Sequence, residues 1–90
     1  MTPSQRDLAR HALGLPNPQR RTSRNRYLIP KDGPDYVQWL EMIDNGEALL
    51  VSPPTSSLAC FALTIKGGQL AIREREQLDP ADFPEMRVRV

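Results

Sequence analysis

Arg20, Arg21, Arg24 and Arg26 fall within seven residues of one another. Arginine grips phosphates and carboxylates through paired, charge-assisted hydrogen bonds, and in this chain it outnumbers lysine by ten to two. Ser23 and Asn25 add neutral donors of the kind that line nucleic-acid backbones. Arg6 and Arg10, one helical turn apart, extend the basic set and are expected to face solvent. The chemistry on offer is phosphate contact, or contact with an acidic partner. A solvated basic loop that balances acidic residues of its own molecule is the plainer alternative. Glu41, Asp44 and Glu47 form the opposite pole, an acidic face that could imitate phosphates in a nucleic-acid channel of another protein.

Catalytic patterns are thin by comparison. His11 is the single histidine, and Cys60 the single cysteine, so neither a disulfide nor a cysteine-histidine metal set is expected. No nucleophile-elbow motif surrounds any serine, and Lys66-Gly67-Gly68 lacks the phosphate-cradling Walker pattern. Asp79 and Asp82 have no distinctive context as a carboxylate pair. Cys60 sits among Leu58, Phe61 and Leu63 and reads as packing. Trp39 and Tyr36 read as core, Tyr27 as an anchor, and an aromatic share of 6% supplies no base-stacking platform. A non-enzymatic protein without metal or cofactor is expected.

Charge is divided along the chain. Residues 1–31 hold seven cations against Asp7, and residues 32–90 hold five cations against ten acids; the halves carry +6 and −5, giving the total of +1. Such a split predicts a bipolar surface and favours binding over catalysis. Ninety residues suit one small domain with a thin stability margin. No apolar run has the length to cross a bilayer and no secretory h-region opens the chain, so a cytoplasmic location is expected.

The elements that must position these residues are signposted unevenly. Thr2, Pro3 and Gln5 make a capping box, Leu8, Ala9, Ala12 and Leu13 an apolar stripe, and Gly14 a left-handed stop with Leu15 folding back. Residues 16–34 form a basic, proline-rich connection, exposed and partly mobile, with a short strand at 24–29. A second helix is expected from Asp35, capped through Gln38, with Tyr36, Trp39, Leu40 and Ile43 inward and Asn45-Gly46 as its stop. Leu49–Val51 and Leu58–Thr64 read as a hairpin with its tip at 53–57. After Thr64 two readings stay open: a helix running to Leu78, or a glycine turn leading into another strand. Asp79–Pro84 looks like a capped turn within a C-terminal tail at 79–90. Residues 86–90 alternate like an edge strand, or like an arm that pairs with another molecule.

Arg-Asp-Leu-Ala-Arg-His-Ala-Leu-Gly-Leu (6–15), Ser-Arg-Asn-Arg-Tyr (23–27), the Trp39 helix ending at Gly46 and Phe-Ala-Leu-Thr-x-x-Gly (61–67) occur in that order. Together they resemble a family of small proteins encoded by bacteriophages and prophages, over roughly residues 2–72. Leu63-Thr64-x-x-Gly67 also resembles the close of winged-helix domains, which implies a helix after Thr64. Gly68 departs from that pattern, and a proline-rich segment stands where a winged helix places a separate helix before its recognition helix.

The expected fold is therefore a single α+β domain over residues 1–90, a reduced winged-helix-like order of helix, short strand, helix, β-hairpin and helix. Leu8, Leu13, Tyr36, Leu40, Ile43, Leu50, Phe61 and Leu63 should form its core. The expected function is that of a phage-type DNA-binding accessory or regulatory protein, with Arg20, Arg21, Arg24 and Arg26 on phosphates. The alternative is a phage inhibitor of a host defence complex, similar in role to an anti-CRISPR protein, acting by direct protein contact. A structural role as a dimer joined through the 86–90 strand is a third expectation. The partner is thus DNA or a host nucleic-acid-binding complex, and the chain itself a monomer or dimer.

Overall fold

A computed structural model describes residues 1–52 and 57–87. The first helix, α1 (Pro3–Leu13), begins as its sequence dictates. Thr2 accepts from the Gln5 amide at 3.1 Å while the Gln5 side chain accepts from the Thr2 amide at 3.0 Å, so two orphan donors are met reciprocally. The helix stops at Gly14, whose φ of 78° is left-handed; a Cβ there would collide with the Ser23 hydroxyl. The Leu15–Pro16 peptide bond that follows is cis.

Strand β1 (Tyr27–Pro30) is shorter than the 24–29 segment expected, because residues 24–26 are held by side-chain and backbone bonds rather than by the ladder. Helix α2 (Pro34–Asp44) starts one residue earlier than expected and without the Asp35–Gln38 box. Proline suits the first helical position, so Pro34 takes it and Gly33, which offers no side-chain cap, becomes the N-cap. Gln38 instead accepts from the Gln5 side chain at 3.1 Å.

Strands β2 (Ala48–Ser52) and β3 (Leu58–Leu63) follow, antiparallel and adjacent, and β1 pairs with the far side of β3, giving the order β1-β3-β2. The expected hairpin tip falls mostly outside the described residues. Helix α3 (Ile65–Ala71) is capped by the Thr64 hydroxyl, which accepts from the Gly67 amide at 3.1 Å. The helix reading of this stretch holds, but the helix ends at Ala71 rather than Leu78. A 3-10 turn follows at Pro84–Arg87. Residues 86 and 87 therefore lie in a turn, not a strand: Met86 donates to Phe83 O at 2.9 Å, and Phe83 is fully buried. Residues 88–90 of the expected edge strand lie outside the described residues. The resulting order of helix, strand, helix, two paired strands and helix matches the α+β expectation.

Strand register assigns the faces. Tyr27 pairs with Phe61, Ile29 with Ala59 and Ala48 with Leu63, and these positions point toward the helices, where Ala9, Ala12, Leu13, Trp39 and Met42 complete the core. Trp39 lies between Tyr27 and Phe61, 5.4 Å from each ring centroid and stacked on both. Leu13, Phe61 and Leu63 are buried as expected, and Leu8, Tyr36 and Ile43 pack partly against them. Leu40 and Leu50 are not core residues; they are 41% and 42% exposed. On α2 the buried stripe centres on Trp39 and Met42, which turns Leu40 about 100° away at helical spacing. Leu50 lies on an edge strand next to the register shift between Leu50 and Ser52.

Candidate nucleic-acid interface

The cap residue Gly14 donates to the carbonyls of Arg10 and His11, while the last turn of α1 leaves those of Ala12 and Leu13 without partners in the helix. The arginine segment supplies them. Leu15 N–H donates to Arg10 O, Ser23 N–H to Leu13 O at 3.0 Å and Arg26 N–H to Ala12 O at 3.1 Å, while the Arg24 guanidinium donates to His11 O at 2.7 Å. A cation at this end also complements the negative pole of the helix. The segment was expected to be loosely attached. It is instead docked on the end of α1, because those carbonyls need donors.

Its other side is fastened to the C-terminal part of the chain. Gln77 donates to Arg20 O at 2.9 Å and accepts from Thr22 N–H at 3.0 Å. Thr22, which is buried, donates its hydroxyl to Asp82 at 2.8 Å and accepts from the Asp79 amide at 2.8 Å. The Asn25 amide donates to Leu63 O and Asp82 O and accepts from the Leu63 amide at 2.8 Å. Asn17 closes the turn from within, donating to Gly14 O and Arg21 O. Asn25 is thus a positioning residue, not the phosphate donor its neighbours suggested. Sequence reading also passed over Asn17, Thr22 and Gln77, whose partners are distant along the chain or ordinary turn carbonyls.

With the backbone turned inward, the side chains of Arg20, Arg21, Arg24 and Arg26 are all exposed. They differ in freedom. Arg21 pairs with Asp79 at 3.2 Å and with Gln77 at 3.3 Å, and Arg24 holds His11 O. Arg20 and Arg26 make no ion pair or side-chain hydrogen bond among the described residues. The Asp79 carboxyl is held below its ordinary range, first by the Ala81 amide and then by Arg21. The Arg21–Asp79 pair is open to solvent, which screens it, so another anion can displace the carboxylate. None of the four arginines pairs with an acid of α2.

Two expected members do not join the set. Arg10 is only 4% exposed: it donates to Ala71 O at 3.0 Å and forms a two-pronged pair with Glu76. Position on α1 alone gives no sign of this, because residues 71–76, which cover Arg10, come from the other end of the chain. Arg6 is exposed but donates to Leu70 O at 3.2 Å, two turns of α1 away from the segment. The acidic face also shrinks. Glu41 and Asp44 are exposed, but Glu47 is 4% exposed and its carboxylate meets the Met1 ammonium at 3.3 Å. Gly46, with φ of 76°, turns the chain inward just before it.

A groove of about 650 Å³ opens beside the arginines. Arg24 and Arg26 line it together with Leu49, Val51, Asp82 and Glu85. His11 is exposed and lies edge-on to Tyr27, with ring centroids 5.4 Å apart. Cys60 is free and buried. Among the described residues no three of His, Cys, Asp and Glu converge as a metal site, and no helix is long and apolar enough to cross a membrane. Compared with protein-family models, curated proteins and solved structures, the chain matches none.

Proposed function

We propose that this chain is a small non-enzymatic DNA-binding accessory or regulatory protein of the phage type, acting in the cytoplasm of a bacterial host and gripping phosphates with Arg20, Arg21, Arg24 and Arg26. One observation carries the reading. The segment's backbone, Thr22 and Asn25 are bonded inward, and the guanidiniums are left outward. A display ordered before binding loses little conformational entropy when it engages a ligand. Internal charge balance is a poor account of these arginines, since only Arg21 has a carboxylate partner among the described residues. Arg20 adds support: its φ of 55° is a region where glycine is easier, and strain retained at an exposed cation favours a functional reason for it.

Fluorescence anisotropy with labelled duplex and single-stranded DNA, at low and physiological salt, tests the reading. Binding that weakens steeply with salt, tolerates changes of sequence and disappears when the four arginines become alanine is the expected result. Flat titrations at low salt overturn it.

The groove favours a second reading, direct inhibition of a host defence complex. Leucine, valine and both signs of charge in one lining suit a protein surface better than a phosphate chain. This reading expects a stoichiometric complex with one host protein at physiological salt, and no affinity for DNA.

A further inference from the structure

Among the described residues, two that are not glycine hold a left-handed backbone, and both are arginines: Arg20 with φ of 55° and Arg75 with φ of 74°. Arg75 lies in a turn closed by Glu76 N–H donating to Arg73 O at 3.0 Å. It takes the third position, where a left-handed φ ordinarily selects glycine or asparagine. Strain kept at an exposed residue points to what its side chain does. The two arginines are distant in sequence and adjacent in space. Gln77 N–H donates to Arg20 O at 2.9 Å, and Gln77 forms a parallel bridge with Arg21. Two residues extend at most about 7 Å, so Arg75 is held beside Arg20. Counted along the chain, Arg75 belongs to the acidic half; the fold returns it to the basic segment. Its carboxylate neighbours are mostly engaged: Glu76 pairs with Arg10 and Asp79 with Arg21, which leaves Glu74, exposed in the same turn. Neither Arg20 nor Arg75 has an ion pair or side-chain hydrogen bond among the described residues.

We propose that Arg20 and Arg75 form a two-armed clamp for one phosphate group, set across the Arg20–Gln77 bond. Two unpaired cations brought together repel each other, and an anion between them reverses the sign of that interaction. A phosphate suits the place better than a carboxylate, because its several oxygens can accept from two guanidiniums at once. Both arms stand on backbone fixed by hydrogen bonds, so little order is lost when they close on a ligand. The inference rests on the DNA-binding reading for the source of the phosphate, a nucleic-acid backbone. Arg75 adds a second arm to a phosphate that Arg20 takes, so the number of neutralised phosphates does not rise. Glu74 opposes the approach of any anion and holds the affinity down.

Duplex-DNA anisotropy at fixed low salt, with the full chain and with Arg75→Gly, Arg20→Gly and the double variant, tests the clamp. Glycine accepts the left-handed backbone at both positions, so the variants should fold as the parent does. Each single change should weaken binding roughly three- to tenfold. The double variant should lose less than the product of the two single losses, because one phosphate is shared. Glu74→Gln should tighten binding. Unchanged affinity in Arg75→Gly, with the parent still binding, overturns the clamp and leaves the DNA reading standing; so do losses that multiply in the double variant. An NMR titration with inorganic phosphate gives the converse separation. Amide shifts at Arg20 and Arg75 that vanish in Arg75→Gly, in a chain that gives flat DNA titrations, support the clamp and overturn the DNA reading. No shift at either residue at millimolar phosphate overturns the clamp.

Discussion

Arg10 on the first helix and Glu76 near the other end of the chain face each other as a buried fork, with guanidinium nitrogens 2.5 and 2.7 Å from the two carboxylate oxygens. The pair pins the irregular segment after α3 onto α1, and Arg10 adds a bond to Ala71 O. That fastening matters for the interface because Gln77, the residue that holds Arg20 and Thr22, comes next in sequence.

Arg10→Ala leaves Glu76 with its charge half enclosed and should cost about 3–5 kcal/mol, whereas Glu76→Gln keeps shape and some bonding and should cost about 1.5–3 kcal/mol. Each kcal/mol lowers the melting temperature of a domain this size by about 4–8 °C. The Arg10 hydrogen bond holds the Glu76 carboxyl below its ordinary value. A carboxylate with a depressed folded-state value contributes stability that is full above its unfolded value and is lost as pH falls through the folded one. Thermal melts should therefore show the gap between parent and Glu76→Gln closing below about pH 4. A gap that persists unchanged at pH 2–3 would count against the pair.

The two adjacent glycines of α3 should separate in a mutational test. A Cβ at Gly67 would collide with the carbonyl oxygen of Glu47, a backbone atom with nowhere to go. Gly67→Ala should therefore abolish folding or lower stability by more than about 3 kcal/mol, at the severe end of single substitutions. At Gly68 the new methyl meets the Phe83 ring at 2.8 Å and Leu78 at 3.1 Å, both side chains. Gly68→Ala should cost about 1–3 kcal/mol as an overpacking change, and Phe83→Leu should recover part of it. Chemical denaturation of the three variants checks the order.

These glycines also explain what the sequence could and could not disclose. Capping residues, a helical stripe and the strand pair are local signals, so α1, α2 and the β2–β3 pair are legible from Thr2-Pro3-x-Gln5, Trp39 and the apolar runs. Gly67-Gly68 looks like a turn because its cause, close approach to Glu47 and Phe83, lies elsewhere in the chain. Phe83 was hidden among prolines and acids, although it is fully buried. Arg10 and Glu47 are charged residues that sequence reading places in water; each is buried because its partner arrives from a distant part of the chain. The arginine cluster itself was plain in the sequence. Its fastening to the end of α1 was not, since Thr22, Asn25 and Gln77 act through partners dozens of residues away or on other elements.

Arg20 offers a test that separates stability from binding. Its left-handed backbone costs an ordinary residue roughly 1 kcal/mol, and glycine relieves that while losing about 0.5–1 kcal/mol to unfolded-state entropy. Arg20→Gly should melt within a few degrees of the parent chain, yet bind DNA several-fold more weakly. A variant that loses stability strongly, or binds unchanged, would remove Arg20 from the phosphate-binding set.

On the proposed function, a fastened segment presents arginines to phosphates, the unengaged ones first. The most direct measurement is the salt dependence of DNA affinity for the parent chain, Arg26→Ala and Arg21→Ala. Four neutralised phosphates give a slope of log K against log salt near −3.6, at about −0.9 each on duplex DNA. Arg26→Ala should make the slope shallower by about one. Arg21→Ala should change it less, because a phosphate at Arg21 must first displace Asp79. A parent slope near zero, or slopes that none of these substitutions alters, would contradict the account.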